Sequence, residues 1–167
     1  MKTKEITLLS VYVAMGSVLY FLETFLPLPS IVPGGRWGFS NLVLLVALPR
    51  VSLSSLLLIA AGKSTIGNIL SGRLMTPGYV MGLGGAIVAV LVMWSLYRSK
   101  MSFGYLGISL TGALANNFFQ LLFAGVFIMG TFRVITIFPY FALVGSISAI
   151  INALIAHRIR VKSGDFL

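Results

Sequence analysis

Apolar residues fill this chain in five long runs and one short one, separated by turn residues. The long runs cover residues 6–26, 51–70, 78–96, 103–127 and 134–156. A helix needs about 20 residues to cross a hydrocarbon core of about 30 Å, and each run is near or above that length. The short run, 37–48, reaches only roughly 18 Å as a helix, so it does not cross alone. Either its helix starts earlier, within 30–35, giving a span over 30–48, or it is a half-helix completed by folded backbone that other helices must shield. The pattern predicts an all-α, polytopic membrane protein, a single domain over residues 1–167 built as a six-helix bundle.

Turn chemistry falls between the runs. Residues 27–35 hold three prolines and two glycines, which predicts an ordered turn. Pro49-Arg50, Gly72-Arg73 and Arg98-Ser99-Lys100 close further spans, and Pro139 falls near the start of the last helix, where proline is tolerated. The first run is too long for the apolar part of a signal peptide and no small-residue cleavage site follows it, so it is expected to be a retained helix.

Composition agrees with a bilayer environment. Hydrophobic residues make up 58% and charged residues 9%, against about 25% charged in soluble domains. There is no cysteine, hence no disulfide or thiolate chemistry. The net charge of +9 does not point to nucleic acid, because the basic residues sit between the apolar runs rather than in a patch. Six crossings place both termini on one side. That side collects Lys2, Lys4, Arg50, Arg98, Lys100, Arg158, Arg160 and Lys162, and the other side collects Arg36, Arg73 and Arg133. The excess predicts cytoplasmic termini in a multi-pass protein of the cell membrane.

Several chemistries are excluded. Gly62-Lys63-Ser64-Thr65 resembles the end of a phosphate-binding loop, but Leu57 stands where that loop needs glycine and no strand precedes it. The acids Glu5, Glu23 and Asp165 are far apart, so no carboxylate cluster for a divalent ion is expected. The single histidine, His157, lies in the basic tail, and no catalytic triad can be assembled. The chain is therefore expected to be no enzyme, with no cofactor and no metal.

Polar groups within membrane helices are costly and mark sites or pathways. Glu23 near the end of the first helix, Lys63 in the third and Asn116, Asn117 and Gln120 in the fifth are such groups. Arg36, Trp37 and Asn41 sit where the loop enters the second helix. On the predicted topology all fall in the outer half of the bundle, which points to an outward-facing pocket for a small polar or anionic molecule. Glu23, Arg36, Trp37, Asn41, Lys63, Asn116 and Gln120 are its candidate lining. Lys63 and Arg36 would supply charge, and the amides hydrogen bonds. Glu23 and Lys63 either neutralise one another or leave Lys63 to a ligand. Trp37 is either an aromatic wall or an interfacial anchor. Adjacent helical residues diverge by about 100°, so Asn117 is expected off the face that Asn116 shares with Gln120, as the more tolerant neighbour.

Small residues mark two faces. Gly78 and Gly82 continue to Ala86, and Ser10, Ala14 and Val18 recur every fourth residue of the first helix. Such stripes either pack the bundle internally or dock another membrane protein.

The run Pro27-Leu-Pro-Ser-Ile-Val-Pro-Gly-Gly-Arg-Trp-Gly-Phe-Ser-Asn41, the segment Lys63…Gly67…Gly72, Gly82-Leu-Gly-Gly and Gly112-Ala-Leu-Ala-Asn-Asn-Phe-Phe-Gln120 together resemble the Gx transporter family, also labelled heptaprenyl diphosphate synthase component I. The similarity runs over nearly the whole chain. That family is similar to the substrate-binding S-components of energy-coupling factor (ECF) transporters, six-helix proteins that capture vitamins or cofactor precursors from outside. The resemblance implies an ECF S-component-like fold, docking on a transmembrane T-component carried by two ATPase subunits, and Ser10, Ala14 and Val18 as the docking stripe, with Ser10 where the family prefers alanine. The synthase label implies instead a membrane accessory subunit of a polyprenyl diphosphate synthase, since a chain without clustered acids is a poor prenyl transferase.

Overall fold

The computed structural model describes residues 3–26, 36–99 and 103–163. The expected turn over 27–35, and the charges Lys2, Lys100 and Asp165, lie outside the described residues. Among the described residues six α-helices follow one another: α1 (Thr3–Leu22), ending in a 3₁₀ turn over Glu23–Phe25, α2 (Asn41–Ala47), α3 (Leu53–Leu70), α4 (Pro77–Arg98), α5 (Tyr105–Phe123), continued by a π turn over Ala124–Ile128, and α6 (Phe138–Ser163), preceded by a 3₁₀ turn over Phe132–Ile137. Among the described residues, five helical segments are long and apolar enough to cross a membrane: Thr3–Phe25, Leu53–Leu70, Pro77–Arg98, Tyr105–Ile128 and Phe132–Lys162. The chain is a multi-pass membrane protein.

Local chemistry sets the helix starts. Ser52 accepts a hydrogen bond from the Ser55 N–H at 3.3 Å, and Thr76 accepts one from Tyr79 at 3.3 Å, with Pro77 in the first helical position. The outer surface is apolar: on α1, Ile6, Val11, Met15, Val18 and Leu22 point away from the bundle, while Tyr12, Gly16, Ser17 and Tyr20 are buried. Lipid receives the alkyl side chains, and polar groups turn inward, where they find partners.

The short run resolves as a half-helix. Its helix begins at Asn41, Arg36–Gly38 is non-helical and Phe39-Ser40 forms a turn, so no helix over 30–48 exists. Seven residues of helix rise roughly 10 Å, well short of a crossing. Yet α2 touches each of the other five helices, and Val43, Leu44, Leu45 and Ala47 are buried. Its sequence, Asn-Leu-Val-Leu-Leu-Val-Ala, has no polar face, as befits a helix enclosed on all sides.

Two contacts place the helix ends. Glu5 of α1, Arg50 and Ser52 at the α2–α3 turn and Arg98 at the end of α4 line one cavity, so all three lie at one face of the bundle. Arg160 near the end of α6 donates to the Tyr105 hydroxyl at the start of α5. The beginning of α1 and the end of α6 therefore share that face.

Candidate functional site

Glu23 sits in the 3₁₀ turn that ends α1, only 5% exposed. Its Oε1 accepts from the backbone N–H of Ser40, and its Oε2 has no hydrogen-bond partner among the described residues. Lys63, midway along α3, is 1% exposed. Its Nζ donates to Ser40 Oγ at 3.0 Å and to Asn41 Oδ1 at 2.9 Å. The two charges thus meet through Ser40 rather than by direct contact. Gly16 makes room for the lysine stem: a Cβ there would stand 2.9 Å from Lys63 Cβ. Water is excluded, so each charge depends on the other's field and on these few dipoles.

Arg36 completes the cluster. Its guanidinium lies 3.8 Å from the centroid of the Tyr20 ring, a cation–π contact. Nη1 donates to the Tyr20 carbonyl at 3.3 Å and Nη2 to Asn68 Oδ1 at 3.2 Å. Asn68 donates in turn to the Tyr20 hydroxyl and to the Ser64 carbonyl, both at 2.7 Å. Tyr20 fits because positions 67 and 82 are glycine: its ring fills the space of a side chain at 67, and its hydroxyl that at 82. The small residue at 82 thus admits a phenol rather than a neighbouring backbone.

The non-helical segment Trp37–Ser40 is held by α6. Ser148 donates to the Trp37 carbonyl at 2.6 Å, and Asn152 donates to the Gly38 carbonyl at 3.1 Å. Gly38 has φ +92°, a left-handed conformation that a side chain would strain. The Trp37 ring stacks on Phe39 with centroids 6.1 Å apart, and its buried Nε1 has no hydrogen-bond partner among the described residues. The Trp37 and Gly38 carbonyls are thereby satisfied by side chains of α6 instead of by a helix.

The α5 amides form a neighbouring group. Asn116 donates to Asn117 Oδ1 at 3.2 Å, and its own Oδ1 fills the space beside Gly85 of α4. Gln120 is buried, with Oε1 unpartnered among the described residues. Gly82 and Gly85 lie less than one turn apart, so α4 is the shared wall between Tyr20 and Asn116. The expectation for Asn117 is corrected. It is 2% exposed and donates to the Phe141 carbonyl of α6 at 2.7 Å. Helix α5 packs between α4 and α6, so side chains diverging by about 100° are both interior.

Ser10, Ala14 and Val18 are exposed on α1. With Leu58, Ile66 and Leu70 of α3 they line an outward groove of about 560 Å³. Ser10 returns its hydroxyl to the Ile6 carbonyl at 2.9 Å. The stripe does not pack within the bundle.

The structure thus links Glu23, Asn41 and Lys63 through Ser40 and Lys63, and sets Arg36 in an adjoining group with Tyr20 and Asn68, with Trp37 on the same segment and Asn116 and Gln120 across α4. The sequence reading omitted Tyr20, Ser40, Asn68, Ser148 and Asn152. A signal existed for three of them: Ser148 and Asn152 stand four residues apart in an apolar helix, and so do Ser64 and Asn68. Among the described residues, no three His, Cys, Asp or Glu side chains converge on a metal site.

A six-helix membrane fold with a buried charge network defines a polytopic protein built around an interior polar site. Residues 12–159 match the family described as heptaprenyl diphosphate synthase component I, and the chain belongs to that family. No curated protein and no solved structure matches the chain.

Proposed function

We propose that this chain is the membrane-embedded, solute-binding subunit of an ECF-type importer, itself without enzymatic activity. The observation that carries the proposal is the Glu23–Ser40–Lys63 bridge, with Arg36 beside it, where the non-helical segment Arg36–Ser40 enters α2 inside the bundle. Ionisable groups enclosed in a membrane bundle are expensive and are kept where they handle a solute, and broken helices supply such sites in transporters. Two cations face one carboxylate, so the site favours a polar or anionic guest. On entry, the guest's acidic group would take over from Ser40 and Asn41 as partner of Lys63, and from Asn68 as partner of Arg36. Trp37 and the α5 amides would complete the lining. The face holding the start of α1 and the end of α6 is cytoplasmic, by the excess of basic residues there. The groove along Ser10, Ala14 and Val18 would seat a T-component carrying the ATPase subunits, because small residues permit close helix approach.

The family description favours a second reading, a non-catalytic accessory subunit of a heptaprenyl diphosphate synthase. Purification from native membranes separates the two. The importer reading predicts recovery with a transmembrane protein and ATPases, and ATP-dependent solute uptake. Recovery with a soluble prenyl transferase, whose product yield falls on deletion of this chain while uptake is unchanged, overturns it.

A further inference from the structure

A polar cavity, about 510 Å³, lies at the end of α1 remote from Glu23. Its walls combine Arg50, Arg98, Ser52 and Glu5 with the indole of Trp94 and the exposed alkyl side chain of Leu8. We propose that it binds the phosphate of an anionic phospholipid, with the first acyl carbons lying along Leu8. Three observations converge. The charge is net positive, two guanidiniums against one carboxylate, and a guanidinium matches two phosphate oxygens at once. Ser52, on the cavity wall, caps the start of α3, so the positive end of an 18-residue helix adds to that charge. Trp94 and Arg98 form the last turn of a membrane-spanning helix, the depth at which headgroups lie.

Glu5 and Arg50 each have a partner within the fold, so Arg98 carries the assignment. Its guanidinium lies 5.1 Å from the Trp94 ring centroid, and a ring offers no oxygen to its N–H donors. The proposal stands apart from the function proposed above.

Native mass spectrometry of the full chain, loaded with equal phosphatidylglycerol and phosphatidylcholine of matched chains, tests it. The unsubstituted chain should retain the anionic lipid about tenfold better. Arg98→Gln should remove most of that preference. Arg158→Gln, an equal charge loss at an exposed position on α6, should keep it. An undiminished preference in Arg98→Gln, or an equal loss in Arg158→Gln, overturns the proposal. So does an adduct with inorganic phosphate that depends on Arg98 when no lipid preference is seen, because the site then takes a free anion.

Discussion

Lys63 and Glu23 are joined by one residue, Ser40, which accepts from the ammonium through its hydroxyl and donates to the carboxylate through its backbone N–H. Neither charge has access to water, and the lysine spends its other observed bond on Asn41. Such an arrangement is electrically balanced but geometrically open, since Glu23 Oε2 has no partner among the described residues.

The bridge predicts strong energetic coupling. Lys63→Met strands the Glu23 carboxylate and should destabilise the protein by about 3–5 kcal/mol. Glu23→Gln added to Lys63→Met should restore about 1–3 kcal/mol of that loss. Thermal unfolding in detergent measures both. Additive effects of the two substitutions would show that the charges do not sense each other.

Asn117→Ala removes the donor to the Phe141 carbonyl and leaves the buried Asn116 amide without its acceptor. The expected cost is about 1–3 kcal/mol, seen as a lower unfolding temperature. Asn116→Ala and Gln120→Ala should instead weaken solute binding. An Asn117→Ala protein of unchanged stability would contradict the α5–α6 bond.

Gly67→Ala forces a methyl group to within 2.9 Å of Tyr20 Cβ. Overpacking of this kind costs about 1–3 kcal/mol, and displacing the ring should also loosen Arg36. A combined fall in stability and in solute affinity is expected. Full affinity in Gly67→Ala would detach the Tyr20–Arg36 stack from the site.

Orientation is tested by single cysteines. One at Thr131 should react with an impermeant thiol reagent from outside, and one at Ser99 should not. Labelling at Ser99 alone would invert the topology. On the groove, Ala14→Leu or Ser10→Leu should abolish assembly with the T-component while solute binding persists, and normal assembly of both would leave the groove to lipid.

The five long helices were legible because run length against bilayer thickness is a strong constraint. The polar outliers Glu23, Lys63, Asn116 and Gln120 stood out for a related reason, since apolar surroundings make each polar residue conspicuous. What periodicity could not supply was the course of residues 36–40. Their backbone is fixed by Ser148 and Asn152, more than a hundred positions away, and no local pattern reports such a contact. Tyr20 escaped notice because tyrosine is unremarkable in a membrane helix. Only Gly67 and Gly82, brought to it from two other helices, reveal why it is there. Asn117 was misjudged because a helix flanked on two sides has two interior faces.

The most direct test is mass spectrometry of the small molecules released from the chain purified out of its native membrane, alongside the Lys63→Met protein. The account predicts a polar or anionic compound in a fixed ratio to the native protein and its absence from Lys63→Met. Release of no such compound from the native protein, or of equal amounts from both, would contradict it.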